Sequence, residues 1–127
     1  MNREIKFRAW HIKYAKFLNE VDLKFVSMNT AFTLADITWL QYTGLKDESG
    51  KEIYEGDIVE FKANYTTKPN GFIIGFFSYD EETASFVIKS NQHEYIIGED
   101  TEGFNIYSHV IGNIYENPEL LTEGATA

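Results

Sequence analysis

The chain contains no cysteine, which excludes a disulfide framework, a thiolate nucleophile and a thiolate metal site. Proline is nearly absent, at Pro69 and Pro118 only, and no Pro/Gly/Ser-rich linker or internal repeat divides the 127 residues. Length and 43% hydrophobic content suit one compact core and are too small for two. No apolar run approaches the roughly 20 residues that span a bilayer. The opening residues MNREIKFRAW have no signal-peptide apolar region either. A soluble protein of the cytoplasm, without membrane contact, is therefore expected.

Positive charge is the other scarcity. Eleven Lys and Arg stand against twenty Asp and Glu, a net charge of −9. Residues 1–24 hold six cations and three acids, a balance of +3, whereas the remainder holds five lysines and 17 acids, −12. Phosphate backbones are bound by clustered Lys and Arg, so nucleic acid is a poor fit to most of this surface. What remains is an acidic face that suits a protein partner, or a basic N-terminal edge built from Arg3, Lys6 and Arg8 that suits a small nucleotide. Acidity that merely keeps a small protein soluble is the plain alternative.

Aromatics make up 16% of the chain, a bias toward pleated, half-buried surfaces. Ile5, Phe7 and Ala9 alternate with Lys6, Arg8 and Trp10, the period of a strand. Residues 17–28 (FLNEVDLKFVSM) read as a further strand, and residues 30–38 as a short helix or irregular connection. Trp39–Thr43 is a strand leading to the loop Lys46–Gly50, where Gly50 can adopt positive φ. Residues 57–63 alternate again, and Ile58 falls out of phase with Val59 and Phe61, so only one face of that strand is expected to be fully buried.

Residues 67–71 and 99–103 read as turns, and Phe72–Phe77 is nearly continuous in apolar residues, as in a strand covered on both faces. Ser85–Ser90, Glu94–Gly98 and Asn105–Tyr115 complete the strands, and Gly75 and Gly112 mark bulges or tight bends. Pro118 opens a brief helical turn, and residues 122–127 should be a disordered tail. Short strands separated by turns predict a mainly β fold, either a small barrel or a strongly bent antiparallel sheet. The domain is expected over 1–121, with a β-rich N-terminal extension to about residue 38 and the barrel from about 39.

Three segments, REIKFRAW (3–10), LQYTGLKDESGKEIYEGDIVEF (40–61) and VIGNIYENPELL (110–121), resemble the YopX family of small phage and prophage proteins. They lie in the expected order and bracket nearly the whole chain. The resemblance implies an SH3-like small barrel for the C-terminal part and a phage-encoded protein working in a bacterial host; it implies little about activity. Gly44, Gly50, Gly56, Asp57, Gly112 and Pro118 are the motif residues with structural roles. His11 departs from the pattern, since relatives often carry an acid there.

Catalytic chemistry is not expected. Glu52, Glu55, Asp57 and Glu60 form the densest carboxylate group, but Glu55-Gly56-Asp57 reads as a tight turn whose Asp serves backbone N–H groups. His11, His93 and His109 are too scattered for a zinc motif. No phosphate-cradling glycine pattern is present, and no cofactor is implied. Rings are the remaining candidates. Trp10, Tyr14, Trp39, Tyr42 and Tyr54, with the three N-terminal cations, are the expected binding residues. Surplus rings also suit a homo-oligomer interface, which is more apolar than other surfaces.

Overall fold

The computed structural model describes residues 5–19, 21, 23, 36–62, 72–90, 93–97 and 107–121. Arg3, the turns at 67–71 and 99–103, and the tail 122–127 lie outside these described residues.

Among the described residues, nine strands build two antiparallel sheets. The first contains β1 (Phe7–His11), β2 (Lys16–Phe17), β3 (Ile37–Lys46) and β4 (Glu52–Tyr54) in the order β2-β1-β3-β4. The second contains β5 (Asp57–Lys62), β6 (Phe72–Asp80), β7 (Ser85–Lys89), β8 (Glu94–Ile96) and β9 (Ser108–Asn113) in the order β8-β7-β6-β5-β9. The mainly β, strongly bent architecture is the one the strand periodicity predicts.

Strand pairing sets which side chains share a face, because directly opposed residues point the same way. Val59↔Gly75 and Phe61↔Ile73 join β5 to β6, and Phe77↔Ile88 and Tyr79↔Phe86 join β6 to β7. Val59, Phe61, Phe77, Phe86 and Ile88 therefore line one face, where Ile53 of β4 joins them to complete the core. Each of these fully buried side chains contributes roughly 1.5–3 kcal/mol. Gly75 sits on this same face in regular pairing, without a bulge. A Cβ there would lie 2.7 Å from Ile88 Cγ2 and 2.8 Å from the Lys89 carbonyl oxygen, so the glycine makes room for the core.

The opposite face is covered as well. Ile58 and Val87 lie there and are buried, which corrects the expectation that only one face of β5 would be closed. β5 is an interior strand between β6 and β9, and the sheet bends enough to shelter both sides of it at this point. At Gly112 the bulge is real: Ile58 pairs with Gly112 but Val59 pairs with Val110, leaving Ile111 as the extra residue.

The described part of the predicted strand over 17–28 differs at Asn19 and Leu23, and residues 24–35 lie outside the described residues. The Leu23 N–H donates to the Asn19 carbonyl at 3.0 Å, the spacing of an α-turn, and β2 ends at Phe17. Two tight turns also carry no glycine: Ala15 and Ala84 both take φ of 52°.

Candidate functional site

The three segments that carry the family resemblance meet in space. Lys6 just before β1, and Arg8 and Trp10 on it, alternate onto the face turned toward the five-stranded sheet; Arg8 opposes Leu40, and Trp10 opposes Thr38 and Phe17. Arg8 forms an ion pair with Asp57 at the start of β5, and its guanidinium lies between the rings of Phe17 (4.4 Å) and Tyr54 (4.9 Å). The second Asp57 oxygen accepts the Tyr54 N–H at 2.8 Å, which closes the Glu55-Gly56 turn. Burial pushes the Asp57 carboxyl above its ordinary value, while Arg8 and the Tyr54 N–H oppose that rise. One turn away, Lys6 pairs with Glu52 and holds that carboxyl below its usual range; its ammonium also lies 5.2 Å from the Tyr42 ring.

The third segment closes the junction. Trp10 stacks on Tyr115 at 5.2 Å and meets Phe17 edge-on at 4.8 Å. Gly56 takes φ +84°, donates its N–H to the Phe77 carbonyl and accepts the Ile114 N–H. Beyond β9 the chain ties itself off. Asn113 Oδ1 accepts the N–H groups of Tyr115 and Glu116, and Asn117 Oδ1 accepts the Asn113 N–H. Gly112 is small because Asn117 packs onto it: a Cβ would sit 2.6 Å from Asn117 Oδ1. Pro118 then opens a turn in which the Leu121 N–H reaches the Pro118 carbonyl.

Asp47 makes a separate bridge between the sheets. It is buried, and its Oδ1 accepts from Ser49 N, Ser49 Oγ and Lys51 N while Oδ2 accepts from Val110 N on β9. Burial raises its pKa, but these four donors outweigh burial and hold the carboxyl below its ordinary value. The adjoining Glu48 N–H donates to the Ser108 carbonyl, so the β3–β4 turn covers the outer edge of β9. Gly50 supplies this turn with φ +87°, and Gly44 takes φ +85° where the β3–β4 register shifts.

Of the candidate binding residues, Lys6, Arg8, Trp10, Tyr42 and Tyr54 converge on the inner face of β1, β3 and β4. Tyr14 and Trp39 do not join them. Tyr14 stacks on the buried His11 at 4.6 Å and gives its N–H to His11 Nδ1. Trp39 pairs with Ala9 on the outer face. The phosphate role expected of the N-terminal cations meets an obstacle, since Lys6 and Arg8 already face Glu52 and Asp57.

Two features were missed from the sequence. One is an apolar outer patch: Phe7 opposes Gln41 and Ala9 opposes Trp39, so Phe7 and Trp39 are diagonal neighbours, with Ile5 on the same face. Their exposures are 54%, 45% and 74%. The strand alternation placed Ile5 and Phe7 on one side, and Trp39 on β3 was the signal it could not join to them. The other is a cleft of about 390 Å³ beside the junction, lined in part by Arg8, Phe17, Lys51, Ile111 and Asn117. Nothing local in the sequence joins Lys51 to Asn117. Among the described residues, no three His, Asp or Glu side chains converge as a metal site, and no helix is long and apolar enough to cross a membrane.

A small, bent two-sheet β protein with its three sequence motifs gathered at one seam is the class defined by these observations. The family model for YopX protein matches residues 6–122, and the chain belongs to that family. The fold is similar to the crystal structure of protein EF1440 from Enterococcus faecalis, with a TM-score of 0.62 and 22% identity, covering 94% of this chain and 99% of that one. No curated protein matches the sequence.

Proposed function

We propose that this protein acts by binding rather than by catalysis, and that the outer face of β1 and β3 engages a protein partner. The exposed cluster of Ile5, Phe7 and Trp39 carries this reading. Contiguous apolar groups that include an exposed tryptophan are characteristic of protein interfaces and their energetic centres. The strongly acidic remainder of the chain supports a basic partner surface, drawn in by long-range attraction. By the origin that the family resemblance implies, the setting is the cytoplasm of a bacterium carrying a phage or prophage.

The carboxylates support the non-enzymatic part of the reading. Asp47, Asp57 and Glu55 each accept backbone N–H groups, with Glu55 Oε1 taking the Gln41 N–H at 2.9 Å. The nucleotide alternative has weaker support, because it requires Lys6 and Arg8 to leave carboxylates that they already neutralise.

The test compares wild type with Trp39→Ser as bait in host extract, followed by titration of the purified captured protein. Truncating a central aromatic anchor costs about 2 kcal/mol or more, roughly thirtyfold in Kd. Equal affinity for both forms removes the outer face from the function, and affinity that does not fall with added salt removes the electrostatic premise. Sedimentation of the two forms shows whether a second copy uses the same surface.

A further inference from the structure

The cleft between the sheets has walls of unequal character. On one side are the Phe17 ring and Ile111, the latter 37% exposed at the β9 bulge. On the other are nitrogen donors that the fold leaves unused. Arg8 commits one terminal nitrogen to Asp57, but its Nε is buried and has no hydrogen-bond partner among the described residues. Lys51 gives its backbone N–H to Asp47, while its ammonium meets no carboxylate within ion-pair distance among the described residues. Asn117 spends Oδ1 on the Asn113 N–H, and no described residue accepts from its Nδ2.

Donors gathered beside an apolar wall call for an anion attached to an apolar group. The charge of that anion is limited by the carboxylates that share the cleft. Asp57 is neutralised by Arg8, and exposed Glu116, which accepts Asn113 Nδ2 at 2.8 Å, offsets the Lys51 charge in number without pairing with it, so the lining holds two cations and two carboxylates. A phosphate dianion would face this nearly neutral lining with excess negative charge. A single carboxylate fits it better, and the volume suits the last two or three residues of a peptide.

We propose that the cleft captures the free C-terminal carboxylate of a peptide ending in an apolar residue. The carboxylate accepts from Lys51 Nζ and Asn117 Nδ2, the terminal side chain covers Phe17 and Ile111, and Glu116 accepts a peptide N–H. This site deepens the protein-binding reading and rests on it. It is tested separately, with isolated protein and synthetic peptide, so it can fail while the outer face still recruits a partner, and the reverse.

The experiment is a ¹⁵N–¹H NMR titration of the full chain with N-acetyl-Gly-Leu as the free acid and as the C-terminal amide, up to about 10 mM, a range that resolves weak binding. The expected result is that the acid shifts the Gly112 and Asn113 amides and the Asn117 side-chain NH₂, while the amide leaves them in place. Lys51→Gln, a change on an exposed turn, should weaken the acid by roughly tenfold, as expected for loss of a charge-assisted bond. Equal shifts from acid and amide, no shifts over the range, or unchanged affinity in Lys51→Gln would overturn the proposal. Tighter binding of adenosine monophosphate at the same signals would overturn it in favour of a phosphate ligand.

Discussion

Replacing Asp47 with Asn removes one charge and turns one acceptor into a donor, and the local geometry sets the cost. Oδ1 holds Ser49 N at 2.9 Å, Ser49 Oγ at 2.7 Å and Lys51 N at 3.0 Å, while Oδ2 holds Val110 N at 2.9 Å. An asparagine has one oxygen for these two directions, so its NH₂ must oppose either Val110 or the turn donors. The Ser49 and Lys51 amides border solvent and can turn to water, which limits their loss. Val110 N–H lies between the turn and the sheet, and losing its partner there costs about 1–3 kcal/mol. With the weaker charge-assisted bonds added, the expected total is about 2–3 kcal/mol, or a fall in Tm of roughly 6–12 °C for a domain of this size.

The pH dependence gives a sharper check. Because the folded pKa of Asp47 is lowered from 3.8, its stabilisation is fully present above that value and is lost as pH falls through the folded pKa. Urea unfolding of wild type and Asp47→Asn should show a constant gap near neutrality that narrows as pH falls below 3.8. A gap below about 1 kcal/mol near neutrality, or one that does not change with pH, would refute this account of the turn.

Gly75→Ala should cost more than Gly112→Ala, roughly 2–4 against about 1–2 kcal/mol, because the first meets the Lys89 backbone and the second the end of the Asn117 side chain. Thermal melts of the pair decide it, and the reverse order would contradict the packing argument. Arg8→Gln leaves Asp57 buried without its cation and should cost roughly 2–3 kcal/mol near neutrality, discounted because the Arg8 side chain is 25% exposed. The Asp57 carboxyl is already raised and should rise further in the variant, so stability relative to wild type should recover as pH falls and the group protonates. A deficit that does not shrink in acid would show that Arg8 acts through its ring contacts instead.

Alternation made β1 and β5 legible as strands, and the nearly continuous apolar run 72–77 did the same for β6. The Asp57 turn was legible for a similar reason: Gly56 supplies the positive φ and the Asp sits within reach of the local N–H. The turns at Ala15 and Ala84 were hidden, since alanine carries no signal for left-handed backbone. The buried second face of β5 was hidden because Ile58 is sheltered by sheet curvature, a property of several strands together. At the site, the five inner-face residues were each identified without their carboxylate partners. Arg8 and Asp57 are distant in sequence, and charge counting along the chain cannot show that one cancels the other.

The stacking of Trp10 on Tyr115 has a consequence for how the molecule is made. A ribosome releases β1 long before Tyr115 has been synthesised, and β5 with Asp57 also emerges well after Arg8. Until each emerges the first strand lacks first its counter-ion and then its stacking partner, and both the inner Trp10 and the outer Phe7 are open to other chains. Contacts of such long sequence separation form slowly and leave a nascent chain prone to aggregation. The seam therefore makes completion of synthesis the event that locks the N-terminal strand. A stalled or truncated product lacking residues 110–115 would keep its first strand paired with β3 but without the Trp10–Tyr115 stack, and should be the form that chaperones and proteases recognise.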